Sequence, residues 1–284
     1  MKMSLAPGWR LGSWDCPAGS CRDAGQSVVA NRQDIARRKQ FGRDLVTSQV
    51  VILAAGMGTR LGRPFPKPLT PLRDGRSILA QQLDNIHAAL GDQARTTIVV
   101  GFKLEAIIES FPDATFVYNE LYDQTNTAKS LLKALRSSPD GGVLWMNGDV
   151  VFDPQVLQRA KPLMTAGASF ICVNTSVVGD EEVKYTVDDD GYVRELSKSV
   201  AEPLGEAVGI NYVAAADKPA LIARLAEASD VDYFERGVEL AIERDGLRFR
   251  PVDISDLFVV EVDFADDLAR ANEHIDDPRE SARI

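Results

Sequence analysis

From Gln49 onward, short β-branched runs alternate with stretches whose apolar residues recur every three to four positions. The runs are VVILAAG (50–56), TTIVVG (96–101), ATFVYN (114–119), VLWMNGD (143–149) and SFICVN (169–174), each of a length suited to a strand. Between them SILAQQLDNIHAAL (77–90), TAKSLLKAL (127–135) and DPQVLQRAKPLM (153–164) carry helical spacing. Strands alternating with helices predict an α/β fold with a mixed, mostly parallel sheet flanked by helices.

The second half changes character. KYTVDDDGYVRELS (184–197) reads as a β-hairpin around an Asp190-Gly191 turn, GEAVGINYVAA (205–215) as another strand, and Pro219–Ala228 and Tyr233–Arg244 as helices. The strand FVVEVD and the helix ADDLARANEHI close the pattern. One catalytic domain is therefore expected at about 47–276, with a nucleotide-binding first half, a smaller acceptor-binding hairpin and helix region, and a tail at 277–284. Residues 1–46, rich in Gly, Arg, Gln and Asp with a short helical pattern over Asn31 to Asp44, read as an extension. It is either partly disordered or the product of an upstream start assignment.

Composition narrows the chemistry. Only His87 and His274 in 284 residues argue against histidine catalysis and multi-histidine metal sites, so the work is expected to fall to carboxylates, lysines, backbone amides or a hard metal ion. Cys16 and Cys21 have no partners for a zinc site, and Cys172 in SFICV reads as a buried thiol. A net charge of −10 argues against a nucleic-acid surface but not against phosphate ligands held locally by a few lysines and a metal. No apolar run spans a membrane and the N-terminus lacks the apolar core of a signal peptide, so the expected compartment is the cytoplasm.

The most informative stretch is VVILAAGMGTRLGRPFPKPL, residues 50–69. A buried strand ends at Leu53-Ala54-Ala55, and a loop with Gly56, Gly58 and Thr59 follows. Small residues there let backbone amides approach phosphate oxygens, and Arg60 and Lys67 add positive charge. Pro64, Pro66 and Pro68 stiffen the segment that carries Lys67. It is neither a Walker A loop, which needs Gly-Lys-Ser/Thr, nor a dinucleotide turn that opens at once into a helix. Two carboxylates join it from far along the chain. Asp149 ends MNGD and Asp263 ends VVEVD, and such a pair with substrate phosphates and waters suits Mg2+. Asp263 also reads as the N-cap of the following helix. Asp188-Asp189-Asp190 imitates a DxD metal motif but sits in a hairpin turn.

Residues 53–69 resemble the signature LAAGxGTRL…PKPL of the nucleotidyltransferase superfamily that activates sugar phosphates and related alcohols. The resemblance implies a Rossmann-like, GT-A-like sheet. It implies Arg60 and Lys67 on the triphosphate as catalytic groups, the Leu53–Gly56 backbone under the base, and Asp149 and Asp263 on the metal. Within YNELYDQTNTAKSLL, residues Gln124, Asn126 and Thr127 offer amides and a hydroxyl to a base or sugar, or else cap the next helix. The YNE-x-Y pattern followed by Asn126, and the short gap from Arg60 to Lys67, resemble the choline-phosphate cytidylyltransferase branch, whose relatives act on inositol phosphate and aminoalkylphosphonates. The same resemblance puts Lys198 on the acceptor phosphate, Glu206 and Asn211 on the acceptor body, and Tyr233 with Phe234 where choline enzymes hold an ammonium by cation–π contact. The Trp of that region is missing here, and a core-facing aromatic pair is the plainer reading.

The expected reaction joins a nucleoside triphosphate, CTP favoured, to a small phosphorylated alcohol or phosphonate with release of pyrophosphate. No nucleic acid and no membrane take part, and a homodimer is compatible with it. Two readings compete: a sugar-1-phosphate enzyme using UTP or dTTP, and a non-catalytic nucleotide sensor, which would be expected to have lost Lys67 or a metal carboxylate.

Overall fold

Six consecutive buried residues, QVVILA, form β1 (Gln49–Ala54), and a strand with both faces covered belongs in the middle of a parallel sheet. The computed structural model describes residues 48–58, 61–62, 64–176, 178–179 and 182–275, all within one compact unit. The helical pattern at 31–44, the N-terminal extension and the tail at 277–284 lie outside the described residues. Parallel to β1 run β2 (Arg95–Val100) on one side and β4 (Val143–Asn147) on the other, with β3 (Thr115–Tyr118) beyond β2. β9 (Gly205–Val213) then lies antiparallel between β4 and β6 (Phe170–Asn174), and β10 (Arg250–Asp253) pairs parallel to β6 at the edge. The hairpin β7 (Lys184–Val187) and β8 (Val193–Ser197) joins through β7 to the start of β9. The sheet is thus mixed and mostly parallel, as the sequence pattern indicates.

Alternate residues of each strand supply two apolar layers. On one face Val50, Ile52, Ile98 and Met146 pack with α1 (Ile78–Leu90), α2 (Leu104–Ser110) and α4 (Gln155–Ala166). On the other, Val51, Leu53, Trp145 and Val213 pack with α3 (Thr127–Ser137), α5 (Lys218–Glu227) and α6 (Phe234–Asp245).

Two departures from the sequence reading matter. MNGDVVF is not one continuous strand end. Gly148 still donates its amide to Leu53 O at 2.9 Å, but the chain then turns and β5 (Val150–Phe152) leaves the main sheet to pair antiparallel with β11 (Val259–Glu261). A third apolar cluster of Val151, Val260, Val262 and Leu268 seats α7 (Ala265–His274) on this small ribbon. β10, RPVD, gave no strand signal because Pro251 interrupts it; Pro is tolerated there because an edge strand can spare an amide. The triple aspartate is a turn: Asp188 Oδ1 accepts from the amides of Asp190 and Tyr192, and all three aspartates are exposed. Cys172 is buried, and burial pushes its thiol up to about 12.

Trp145 is fully buried and meets the Phe234 ring edge-on at 5.7 Å, joining the sheet to α6. Trp145→Ala is expected to lower unfolding free energy by about 3–5 kcal/mol. In a double-mutant cycle with Phe234→Ala, urea titrations should return a coupling of about 0.5–1.5 kcal/mol.

Candidate active site

Lys67 opens a 3-10 turn (Lys67–Leu69) after the glycine loop, with Pro66 and Pro68 fixing the backbone on either side. Its side chain is only 9% exposed, and its Nζ donates to Asp149 Oδ2 at 2.7 Å and to Asp263 Oδ1 at 2.5 Å. Burial works against this ammonium, but the two carboxylates outweigh it and hold its pKa above the ordinary lysine value. The carboxylates meet because β5 and β11 pair in register Val150↔Glu261, and because Val262 N donates to Asp149 O at 3.0 Å just outside that pairing. Asp263 is not the cap of α7; Asp267 Oδ2 accepts from the amides of Asp263 and Phe264, which leaves the Asp263 carboxylate turned to Lys67.

Close approach at this point depends on Gly58, whose φ is +58° and where a Cβ would stand 2.8 Å from Lys67 Cβ. A side chain there would be strained and would push Lys67 off the carboxylates. Leu53, Ala54, Gly56 and Gly58 line one wall of the cleft above Lys67. The same cleft is lined by Asn126, Thr127, Lys198 and Tyr233 and by the two carboxylates, Asp149 and Asp263. Lys198 Nζ lies 5.5 Å from the centre of the Tyr233 ring. The other groove of note, about 950 Å³ against about 460 Å³ for the cleft, lies at the opposite ends of β1 to β3. Its described charged lining is Arg95 and Asp113 alone, which offers no convergent chemistry.

Asn126 and Thr127 have a structural task at the same time. Asn126 Oδ1 accepts from the Thr127 amide at 2.8 Å as N-cap of α3, and Thr127 Oγ1 accepts from Phe234 N at 3.0 Å. These bonds tie α3 to the start of α6, so the helix that carries the candidate base contacts also positions Tyr233. Four residues singled out in the sequence are not in the cleft wall. The Ala55 carbonyl accepts from Phe102 N at 3.1 Å beneath it, and Gln124 is exposed and turned toward Asp123. Glu206 accepts from Gly179 N at 2.9 Å, and Asn211 is buried opposite Trp145 between β4 and β6. Their register decides this: along β9, Ala207 and Gly209 reach the cleft, while Asn211 lies farther down the strand. Thr59 and Arg60 lie outside the described residues.

The donor set fits a hard divalent cation. Asp149 Oδ1 is buried and has no hydrogen-bond partner among the described residues, and the Asp263 carboxylate stands beside it on the same lysine. No group of three His, Cys, Asp or Glu side chains forms a closed cage among the described residues. Two carboxylates that leave room for waters and phosphate oxygens match the habit of Mg2+.

Residues 50–179 match the model of the MobA-like NTP transferase domain. Over these residues the chain carries a nucleotidyltransferase domain similar to those of this family. CMP-5'-(3-aminopropyl)phosphonate synthase of Streptomyces rubellomurinus is 31% identical over 267 residues, 85% of this chain and 41% of that protein's length. UTP–glucose-1-phosphate uridylyltransferase AglF of Haloferax volcanii is 31% identical over 166 residues, 55% of this chain and 66% of that protein. In three dimensions the chain is similar to CTP:phosphocholine cytidylyltransferase of Streptococcus pneumoniae, with a TM-score of 0.63 at 17% identity, over 80% of this chain and 99% of that one. Among the described residues no helix is long and apolar enough to cross a membrane.

The cleft also contains acidic groups that the sequence reading missed. Glu261 is half-buried, and desolvation followed by the charge of Asp149 pushes its carboxyl well above the usual range; its Oε1 accepts from Asn147 Nδ2 at 3.0 Å. Room for that pair exists because residue 209 is Gly at φ +69°, where a Cβ would stand 2.5 Å from Glu261 Oε1. The signal was available: Glu261 and Asp263 are two apart at a strand end, where alternate residues share a face. Glu235 gave no signal, because an acidic residue in a first helical turn is ordinary. It is 8% exposed, its Oε2 has no partner among the described residues, and it lines the cleft. Burial pushes its carboxyl up to about 7, with a hydrogen bond from its own backbone amide and the charge of Lys198 pulling back and that of Glu239 adding.

This shift has a sign. A carboxyl whose folded pKa lies above its unfolded value of 4.5 leaves stability intact below 4.5 and removes it as pH rises toward 7, after which the loss levels off. Glu235→Gln is therefore expected to raise unfolding free energy at about pH 8, by up to about 3 kcal/mol. The gain should vanish near pH 4, as urea titrations at the two pH values would measure.

Proposed function

We propose that the protein is a Mg2+-dependent cytidylyltransferase that joins CTP to a small phosphorylated alcohol or aminoalkylphosphonate and releases pyrophosphate. The observation that carries this reading is the meeting of Lys67, Asp149 and Asp263 beneath the glycine loop that ends β1. The cytidylyl preference is supported by the similarity to a CMP-aminopropylphosphonate synthase, and the compact segment between Arg60 and Lys67 agrees with it.

In this mechanism an acceptor phosphate or phosphonate oxygen attacks the α-phosphorus of the triphosphate. The new P–O bond forms as the α–β bridging bond breaks, and its electron pair leaves with pyrophosphate. The acceptor oxygen is already anionic near neutral pH, so no general base is required, which suits a cleft without histidine. Asp149 and Asp263 would hold Mg2+, which would supply charge neutralisation for the triphosphate. The Leu53–Gly58 backbone would cradle the nucleotide, and Asn126 and Thr127 would face the base or sugar. Lys67 and Arg60 would neutralise triphosphate oxygens, and Lys198 would draw the acceptor anion toward the reacting phosphorus. Glu206 and Asn211 stand apart from the cleft wall and have no direct part in this account.

Asp149→Asn and Asp263→Asn should each lower kcat by about 100-fold or more with little change in melting temperature, and EDTA should reproduce the loss. Near-normal pyrophosphate release by either variant would overturn the metal assignment. CTP should exceed UTP and dTTP by about tenfold or more in kcat/KM, since a pyrimidine pocket leaves buried polar groups unpaired when the wrong base enters. A preference for UTP or dTTP with a hexose 1-phosphate would replace this reading with the sugar-activating one, which the uridylyltransferase relative favours.

A further inference from the structure

We infer that the cleft contains a subsite for a primary ammonium group, built on Glu235 and Glu182 beside Lys198, so that the acceptor is a short ω-amino phosphonate or phosphate ester. The inference rests on the transferase reading above and narrows its acceptor. Its starting point is an orphaned atom. Glu235 is more than nine-tenths buried, yet its Oε2 meets no donor among the described residues and the side chain lines the cleft. Buried carboxylate oxygens are almost always satisfied, and one without a donor on a side chain that lines a cleft calls for a donor from the ligand.

The charge of the cleft points to what kind of donor. Among the described lining residues, Asp123, Asp149, Glu182, Glu235, Glu261 and Asp263 face only Lys67 and Lys198. Even with Arg60 on the triphosphate, as proposed above, this acidic lining favours ligands that bring cations with them. A metal at Asp149 and Asp263 accounts for one end, and Asn147 donates to Glu261. Glu182 and Glu235 line the same cleft with Lys198 as their described cation. The charge of Lys198 acts on both carboxyls, so all three share one corner of the cleft. A zwitterion matches this corner: its phosphonate takes Lys198 and its ammonium takes the two carboxylates.

A hydroxyl could donate to Glu235 Oε2 but would leave the excess negative charge in place. A quaternary ammonium carries charge but no N–H for that oxygen. It would also want a cage of rings, whereas Tyr233, 45% exposed, already has Lys198 over its face.

The test uses the whole protein with CTP and Mg2+, and compares 3-aminopropylphosphonate, propylphosphonate and phosphocholine as acceptors. The amine should have a KM at least about tenfold below the other two. Glu235→Gln should erase that preference through KM while kcat changes by less than about threefold, and Glu182→Gln should weaken it in the same direction. A variant that is more stable near pH 8 yet binds the amine worse cannot be explained by a structural role alone. Equal KM for the amine and propylphosphonate in the wild type, a lower KM for phosphocholine than for the amine, or an unchanged preference in Glu235→Gln, overturns the subsite. If no acceptor is turned over, the transferase reading fails. Calorimetric titration with 3-aminopropylphosphonate and propylphosphonate then decides the subsite: preferential binding of the amine supports it, and equal or absent binding overturns it.

Discussion

Lys67 reaches Asp149, 82 residues away, and Asp263, 196 residues away, with a single buried ammonium. Much of the rest serves that meeting. β1 delivers the glycine loop to the end of the sheet, prolines on both sides of Lys67 restrict its backbone, and Gly58 leaves it room. The β5–β11 ribbon brings the two carboxylate segments together, and its own apolar cluster under α7 keeps the ribbon in place. Two carboxylates so close would repel without a cation between them. Lys67 meets this need in the protein itself, and Asp149 Oδ1, without a hydrogen-bond partner among the described residues, leaves one oxygen unsatisfied.

The cleft as a whole is more acidic than the anionic ligands proposed for it would lead one to expect. Glu235 is buried and Glu261 half-buried, the surroundings favour the protonated form of each, and each works against stability at neutral pH. Groups that lower stability and line a cleft are the usual mark of function, since packing alone would have favoured an apolar or amide side chain. Neighbouring residues combine roles. Asn126 caps α3 and faces the cleft, and Thr127 holds the start of α6 while presenting its side to the same space. The walls of the site are therefore stiffened by the same hydrogen bonds that join the helices.

Much of this was legible in the chain. The alternation of β-branched runs and helical spacings gave the layered sheet, because the residue period that buries one face of a helix or strand is a local property. The glycine loop, Lys67, Asp149 and Asp263 were legible because their chemistry is concentrated at strand ends, where a carboxylate or lysine breaks an apolar run. The sequence alone could not say that MNGD turns away from the sheet after Gly148. Nor could it place Gln124, Glu206 and Asn211 outside the cleft wall. For Asn211 that outcome depends on which partners β9 finds, and those partners, β4 and β6, lie far from it along the chain. Glu235 was invisible for the same reason. A glutamate in a first helical turn is unremarkable until the sheet and α6 close over it, and only burial, a property of the assembled layers, turns an ordinary surface residue into a titrating group of the cleft.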